Sequence, residues 1–448
     1  MTYHEDTIAA VSTPGGKGAV SMIRVSGKEA HSICDRIFQG NQTLKEAKGY
    51  SMVYGKIIDG EKIIDQVLCG VFREPASFTG ENTVEIYCHG GVKNTMLVLE
   101  AVLSAGARSA ERGEFTKRAF LNGKMDLSQA EAVIDLINSE TESAVLQSAG
   151  QLEGGISQKI NGLRDKITSM NAKILAVIDF PDEEIDEWEK ETFFGVLEEV
   201  KREILLLLEE FERGRILKTG LNTVIIGKTN AGKSSLLNCL LKEKRAIVTE
   251  IEGTTRDVIE DELEIKGIPV RLIDTAGIRE TEDTVEKIGV EKSKELIPDA
   301  DLILFVLDGS RPLDENDREI FSLLEHKQVI TIKNKADLPC QLEMEGDALS
   351  LSCKTGEGIN ELYDAIYRVA ITEERNLSQS PLMNNVRHKQ CLEQALKSVE
   401  EALLGREMPL DLVSIDLTDA CRHLGQITGL EVSEDTIKHI FADFCVGK

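Results

Sequence analysis

Apolar positions follow two rhythms along the chain, and the dominant rhythm changes three times. In the first 120 residues, short apolar or alternating runs closed by glycines and polar turns predict strands at 20–25, 53–58, 66–72 and 83–88. Helical spacing predicts helices at 28–38 and 93–105, so residues 1–120 read as an α+β domain. From 128 to 211 the apolar spacing becomes three to four. Leu197, Val200, Ile204, Leu207 and Phe211 then form one buried stripe on a helix. The acidic run Asp182, Glu183, Glu184, Asp186, Glu187 predicts a solvated turn leading into a helix.

Strand patterns return at 222–226, 261–266, 269–273, 301–307, 328–332 and 348–352, alternating with helical stretches. That alternation predicts a doubly wound parallel sheet. Beyond residue 380 the chain is helical again, near 385–404, 409–424 and 433–444. This tail is too short to bury a core of its own. It is expected to pack back on the earlier helices, which makes the α/β segment an insertion into a helical domain. The expected organisation is an α+β domain over 1–120, a first helical part over 121–215, the inserted α/β domain over 216–377 and a second helical part over 378–448.

A hydrophobic fraction of 41% supplies enough apolar surface for real cores. The net charge of −26 argues against a broad nonspecific surface for nucleic acid or anionic membrane. Residues 1–120 nevertheless balance acid and base, so a local basic patch there is compatible with the total. The nine cysteines show no C-x-x-C pair or metal-ligand spacing, which predicts free thiols in a reducing cytosol. No signal-peptide pattern opens the sequence and no apolar run is long enough to span a bilayer. A cytoplasmic protein without a membrane segment is expected.

The chemistry begins at Gly227, where GKTNAGKS follows the apolar run 224–226 and opens a helix. This is the phosphate-binding pattern G-x-x-x-x-G-K-[ST] in its required strand–loop–helix setting. Asn230, Ala231, Gly232, Lys233, Ser234 and Ser235 are its candidate nucleotide contacts. Lys233 is expected to reach the β- and γ-phosphates, and Ser234 to ligate Mg²⁺. A second stretch is GTTRD, Gly253 to Asp257, in which Thr255 is the expected second Mg²⁺ ligand; Gly253, Thr254 and Thr255, with Thr249, Glu250, Ile251 and Glu252 before them, are candidate GTP contacts. A third is Asp274, Thr275, Ala276 and Gly277 at a strand end, where Asp274 would hold the Mg²⁺ water shell and the Gly277 N–H the γ-phosphate. A fourth is Asn334, Lys335 and Asp337. The Asp337 carboxylate can accept from the N1–H and 2-amino groups of guanine, an arrangement adenine lacks. A fifth is Ser352, Cys353 and Lys354, whose backbone would meet the base oxygen. Taken in order, the five predict a P-loop GTPase domain at 216–377.

Two positions depart from the commonest GTPase pattern. Ile278 follows the third motif, where Ras-like enzymes carry the water-orienting glutamine, and it cannot polarise water. Asn230 is either a ligand for a monovalent cation beside the phosphates or an ordinary polar loop residue.

Several stretches outside these motifs resemble one family. They are DTIAAVSTP (6–14), IRVSG (23–27), SFTGENTVE (77–85), GEFTKRAFLNGKMDLSQAEAV (113–133), IDFPDEEI (178–185) and FCVGK (444–448). With the GTPase set they look like the MnmE (TrmE) family of tRNA uridine-modification GTPases, from residue 6 to 448. The resemblance implies a homodimer joined through the N-terminal domains and a heterotetramer with the FAD-dependent protein MnmG. It implies addition of an aminomethyl or carboxymethylaminomethyl group to C5 of the wobble uridine of certain tRNAs. It implies a 5-formyl- or methylene-tetrahydrofolate donor, and K⁺-dependent GTP hydrolysis when two G domains meet.

By the same resemblance Asn230, Thr249, Ile251 and Thr254 match the family's K⁺ ligands, and Glu286 matches its catalytic, water-orienting glutamate. Read on its own, Glu286 is an exposed helix carboxylate. Arg24, Glu85, Lys124 and Lys448 match the folate contacts, and Cys445 matches the family's C-terminal cysteine, which either acts in the modification or packs. The chain departs at Thr229, where a proline is usual, and at Cys353, where alanine or serine is common. The alternatives are a ribosome-assembly GTPase that acts as an RNA-binding switch, and a self-assembling GTPase whose dimer is its output.

Overall fold

Seven strands carry the alternation of the first third into a single sheet. The computed structural model describes residues 6–139, 141–179, 187–243, 261–273, 297–298, 300–324, 327–344, 347–370 and 382–448. The first elements are β1 (Ile8–Val11), β2 (Val20–Ser26), α1 (Ala30–Asp35), β3 (Phe38–Gly40), β4 (Ser51–Asp59), β5 (Lys62–Phe72), β6 (Thr83–His89), α2 (Val92–Ser104) and β7 (Arg108–Ser109). The strand order is β3-β4-β5-β6-β2-β1-β7, antiparallel except for β1 with β7. Ile23, Val25, Val53, Ile57, Cys69, Val84 and Ile86 point to one face, where Ile33 of α1 and Val98 and Val102 of α2 cover them. Strand alternation sends Arg24, Glu85 and Tyr87 to the opposite face.

The helix expected over 28–38 stops at Asp35 instead. Its carboxylate accepts from the Leu44 and Lys45 amides, at 2.6 and 3.0 Å, and Phe38 pairs with Ile57 as a strand residue.

Helices α3 (Glu114–Leu121), α4 (Leu127–Asn138), α5 (Glu142–Leu152), α6 (Gly155–Asp179) and α7 (Glu187–Thr219) follow. The apolar stripe read in α7 is buried throughout: Leu197, Val200, Ile204, Leu207 and Phe211 all lie in the core.

The chain then forms β8 (Leu221–Ile226), α8 (Lys233–Glu243), β9 (Asp261–Ile265), β10 (Ile268–Leu272), β11 (Leu302–Asp308), α9 (Glu315–Ser322), β12 (Val329–Asn334), β13 (Leu349–Ser350) and α10 (Ile359–Ala370). The sheet order is β13-β12-β11-β8-β10-β9, parallel except for β9 with β10. Along β11, Leu302, Leu304 and Val306 enter one core while Ile303, Phe305 and Leu307 enter the other. Burial on both faces is why this strand reads as an unbroken apolar run. Strand β13 ends earlier than the pattern suggested. From Ser352 on, the amides turn to the Glu357 carbonyl and the Asn334 side chain.

Helices α11 (Val386–Leu404), α12 (Leu410–Thr428) and α13 (Glu434–Ala442) close the chain. They pack on helices that precede the GTPase fold. The Lys389 ammonium of α11 lies 5.1 Å over the Phe211 ring of α7, and Lys201 pairs with Glu400 at 2.9 Å. Ser414 of α12 donates to Asn171 of α6 at 2.7 Å. Phe441 and Phe444 pack with Leu127 and Ala130. By internal contact the chain forms two units. One contains Met1–Ile134, Leu152–Glu187 and Leu404–Lys448; the other contains Asp135–Gln151 and Trp188–Leu403. Among the described residues no helix is long and apolar enough to cross a membrane. None of the nine cysteines is in a disulfide.

Candidate functional site

Strand β8 is central in its sheet, and its carboxyl end opens into the loop Gly227–Ser234. Gly227 sits at φ +153°, and a Cβ there would stand 2.2 Å from the Val306 carbonyl oxygen, so no side chain fits. Asn230 adopts φ +64°, a left-handed conformation that asparagine tolerates better than most residues. The Lys233 ammonium donates to the Gly227 and Lys228 carbonyls, both at 2.7 Å, which closes the loop into a ring. Burial lowers the Lys233 pKa from the ordinary lysine value. Lys228 pairs with Asp314 and lies 3.8 Å from Asp317. The first turn of α8 therefore presents its amides and helix N-terminus to the space above the loop, an arrangement suited to a polyphosphate.

The second half of the site is built on β11, β12 and β13. Asn334 is buried at the end of β12. Its amide nitrogen donates to the Ala231 carbonyl at 2.9 Å, and its oxygen accepts from the Lys335 and Cys353 amides at 2.8 and 3.4 Å. One side chain thus ties the phosphate loop to the loops that carry Lys335 and Cys353. Lys335, at φ +67°, donates to Asp308 at 2.6 Å. Burial pushes the Asp308 carboxyl up, but hydrogen bonds from Lys335 and Ser310 outweigh it and hold the group below the usual carboxylate range. Ser352 donates to one Asp337 oxygen at 2.7 Å, and the Lys354 ammonium lies 3.9 Å from the other. Asp337 is thereby fixed as an acceptor at the carboxyl ends of the strands, where ligands bind in doubly wound sheets. Burial pushes the Cys353 thiol up to about 11, so it stays a neutral thiol beside these loops.

The first, fourth and fifth motifs are therefore brought together. Thr249 to Thr255, Asp274 to Gly277 and Glu286 lie outside the described residues. Asp308 was not singled out from sequence; its signal is an acid closing an apolar strand.

A separate cluster lies on the outer face of the first sheet. Arg24 stands opposite Glu85 in register, and its Nε and Nη2 both lie 3.0 Å from Glu85 Oε1. Tyr87 donates to Glu85 Oε2 at 2.5 Å. The Arg24 guanidinium lies 5.0 Å over the Phe78 ring and 5.7 Å over the Phe115 ring, and its buried Nη1 has no partner among the described residues. The segment 444–448 runs alongside. The Phe115 amide donates to the Lys448 carbonyl at 3.2 Å, and Ser12 donates to the Gly447 carbonyl at 2.9 Å. Burial, then Arg24, lower the Lys448 ammonium from its ordinary value. Cys445 is exposed. Lys124 instead bonds the Pro75 carbonyl at 3.0 Å. Tyr87 was not anticipated, although it lies two residues from Glu85 on a strand and so had to share its face.

A glycine loop between a central parallel strand and a helix, locked through Asn334 to an N-K-A-D loop, defines a P-loop GTPase. Two family models match the chain: the GTP-binding protein TrmE N-terminus over residues 7–124 and the MnmE helical domain over 127–445. The tRNA modification GTPase MnmE of Acetivibrio thermocellus is 46% identical over 458 residues, covering 100% of both chains. The protein of the same description from Carboxydothermus hydrogenoformans is 48% identical over 463 residues, covering 99% of this chain and 100% of the relative. That from Clostridioides difficile is 46% identical over 458 residues, covering 100% of both. The chain belongs to the MnmE family, and it is a GTPase.

Proposed function

We propose that this GTPase drives modification of tRNA at C5 of the wobble uridine, adding an aminomethyl or carboxymethylaminomethyl group together with an FAD-dependent partner of the MnmG type. The observation that carries the nucleotide half is the Asn334 bridge. It ties the phosphate loop to the loop carrying Asp337, whose carboxylate Ser352 holds, which supports a single guanine nucleotide spanning the two. The tRNA half is supported by the relatives, which are tRNA modification GTPases matched over their whole length.

In this reading Ser234 and Thr255 hold Mg²⁺, while Asn230, Thr249, Ile251 and Thr254 hold K⁺. The cation supplies the charge that an arginine finger supplies elsewhere. Glu286 orients the attacking water in place of the glutamine that Ile278 replaces. Residues 1–120 bind a tetrahydrofolate derivative, and Arg24, with its unpartnered buried N–H beside a carboxylate, fits a ligand that presents both an acceptor and a donor. The same domain joins two copies. The exposed Met52, Tyr54 and Leu68 on the outer face of its sheet are suited to such a contact. The helical domain comprises 121–215 and 378–448 around the G domain at 216–377.

Mass spectrometry of wobble uridines from cells lacking the protein tests the reaction. Unmodified wobble uridines are the expected result. Normal wobble uridines with accumulated ribosomal precursors would reject it in favour of ribosome assembly. The cation role is tested by GTP turnover in KCl against NaCl. Turnover is expected to be faster in KCl, and Asn230→Ala to remove the difference; equal rates for the unaltered chain in both salts would refute it.

A further inference from the structure

We infer that Tyr87 is a positioning residue for a reduced folate. It locks the Glu85 carboxylate beside the free Arg24 N–H, so that the site offers one acceptor and one donor side by side. The inference rests on the folate reading above and adds to it a residue and a mode of recognition.

The geometry leaves little freedom. Glu85 Oε1 is held by two nitrogens of Arg24, across the β2–β6 register, and Oε2 is held by the Tyr87 hydroxyl from two positions along the same strand. A carboxylate gripped at one oxygen can still swing about its terminal torsion, where the energy wells are broad. Gripped at both, it cannot. The remaining lone pairs and the buried, unpartnered Arg24 Nη1 then form a fixed acceptor–donor edge. Such an edge complements a cyclic amide, with N–H next to C=O, as in the pterin ring. The Phe78 and Phe115 rings flank the guanidinium, and Nη1 meets no acceptor among the described residues, which leaves it open to a ligand.

Tyr87 suits this task chemically. Burial and the neighbouring Glu85 push its phenol up to about 12, so it stays a hydrogen donor across the physiological range. Among the described residues, the charged and titratable groups around Glu85 are Arg24 on β2, Tyr87 on β6 and Lys448 on the 444–448 segment, with Cys445 beside Lys448. From β5 the residue opposite Glu85 is Gly70, which brings no charge.

The test is calorimetric binding of 5-formyltetrahydrofolate to the full chain, with Tyr87→Phe, Glu85→Gln and the two combined. The phenylalanine keeps the ring, and an unchanged melting temperature shows that the fold is intact. Tyr87→Phe is expected to bind about tenfold more weakly, the scale of one charge-assisted hydrogen bond. In the Glu85→Gln background the same change should have little further effect. Wild-type affinity in Tyr87→Phe, with Glu85→Gln weakened, would overturn the positioning role. Failure of the unaltered chain to bind the folate would sink the folate reading itself.

Discussion

Gly232→Ala is the sharpest probe of the coupling between the phosphate loop and the base loops. Gly232 sits at φ +102°, and a Cβ there would lie 1.9 Å from Asn334 Nδ2. Two costs follow. Placing an L-residue in the left-handed region costs about 1–2 kcal/mol. Driving the Asn334 amide away from the Ala231 carbonyl leaves a buried polar pair unmatched, at about 1–3 kcal/mol. Together they amount to about 2–5 kcal/mol within the GTPase fold. Affinity for a fluorescent GDP analogue is expected to fall at least tenfold, because Asn334 also orders the Lys335 and Cys353 amides. Thermal melting with and without GDP reads the first effect, and fluorescence titration the second. The decisive comparison is the double variant. In an Asn334→Ala background the new methyl has room, so Gly232→Ala should cost only its backbone share. Strictly additive losses from the two substitutions would refute the steric argument.

Three other perturbations separate fold from function. Asp337→Asn replaces an acceptor with a donor, so preference should shift from guanine toward xanthine nucleotides; competition titration with XTP and GTP measures it. Arg118→Met removes the cation shared by Asp6, Glu81 and Glu114, at 2.7, 3.2 and 3.0 Å, and should destabilise the N-terminal unit by about 3–5 kcal/mol, seen in chemical denaturation. In the unaltered chain, burial raises the Glu114 and Asp6 carboxyls. Hydrogen bonds from Arg108 and Arg118 overcome this and hold both below their ordinary values. Folded values below the unfolded ones mean that this stability is present at neutral pH. It is lost as the pH falls from about 4 through the folded values, so melting should drop steeply there and more gently in Arg118→Met.

Which parts of the molecule could be read from the chain follows from physical range. Strands β8 and β11 were legible because both faces are buried, which leaves a continuous apolar run. The α7 stripe was legible because one face repeats at helical spacing over many turns. Strands β1, β3 and β7 were not, being four, three and two residues long and too short to show a period. The nucleotide loops announced themselves because glycines, Lys233 and Asp337 stand in the short fixed spacings of the G-x-x-x-x-G-K-[ST] and N-K-x-D motifs. The part Asn334 plays as a strut did not, since its partner Ala231 lies 103 positions away. The Arg24–Glu85–Tyr87 cluster was half visible. The resemblance named the first two residues, but only the strand register places them opposite one another and sets Tyr87 on the second oxygen.

The 444–448 segment also constrains how the protein is made. Ser12 finds its acceptor at Gly447, 435 positions downstream, and a side chain at Gly447 would strike the Val11 carbonyl oxygen at 2.2 Å. The end of β1 therefore meets this part of its surroundings only after residues 435 positions downstream have been made. A chain interrupted before residue 444 would lack the carbonyl that Ser12 meets and the residue that bridges Arg112.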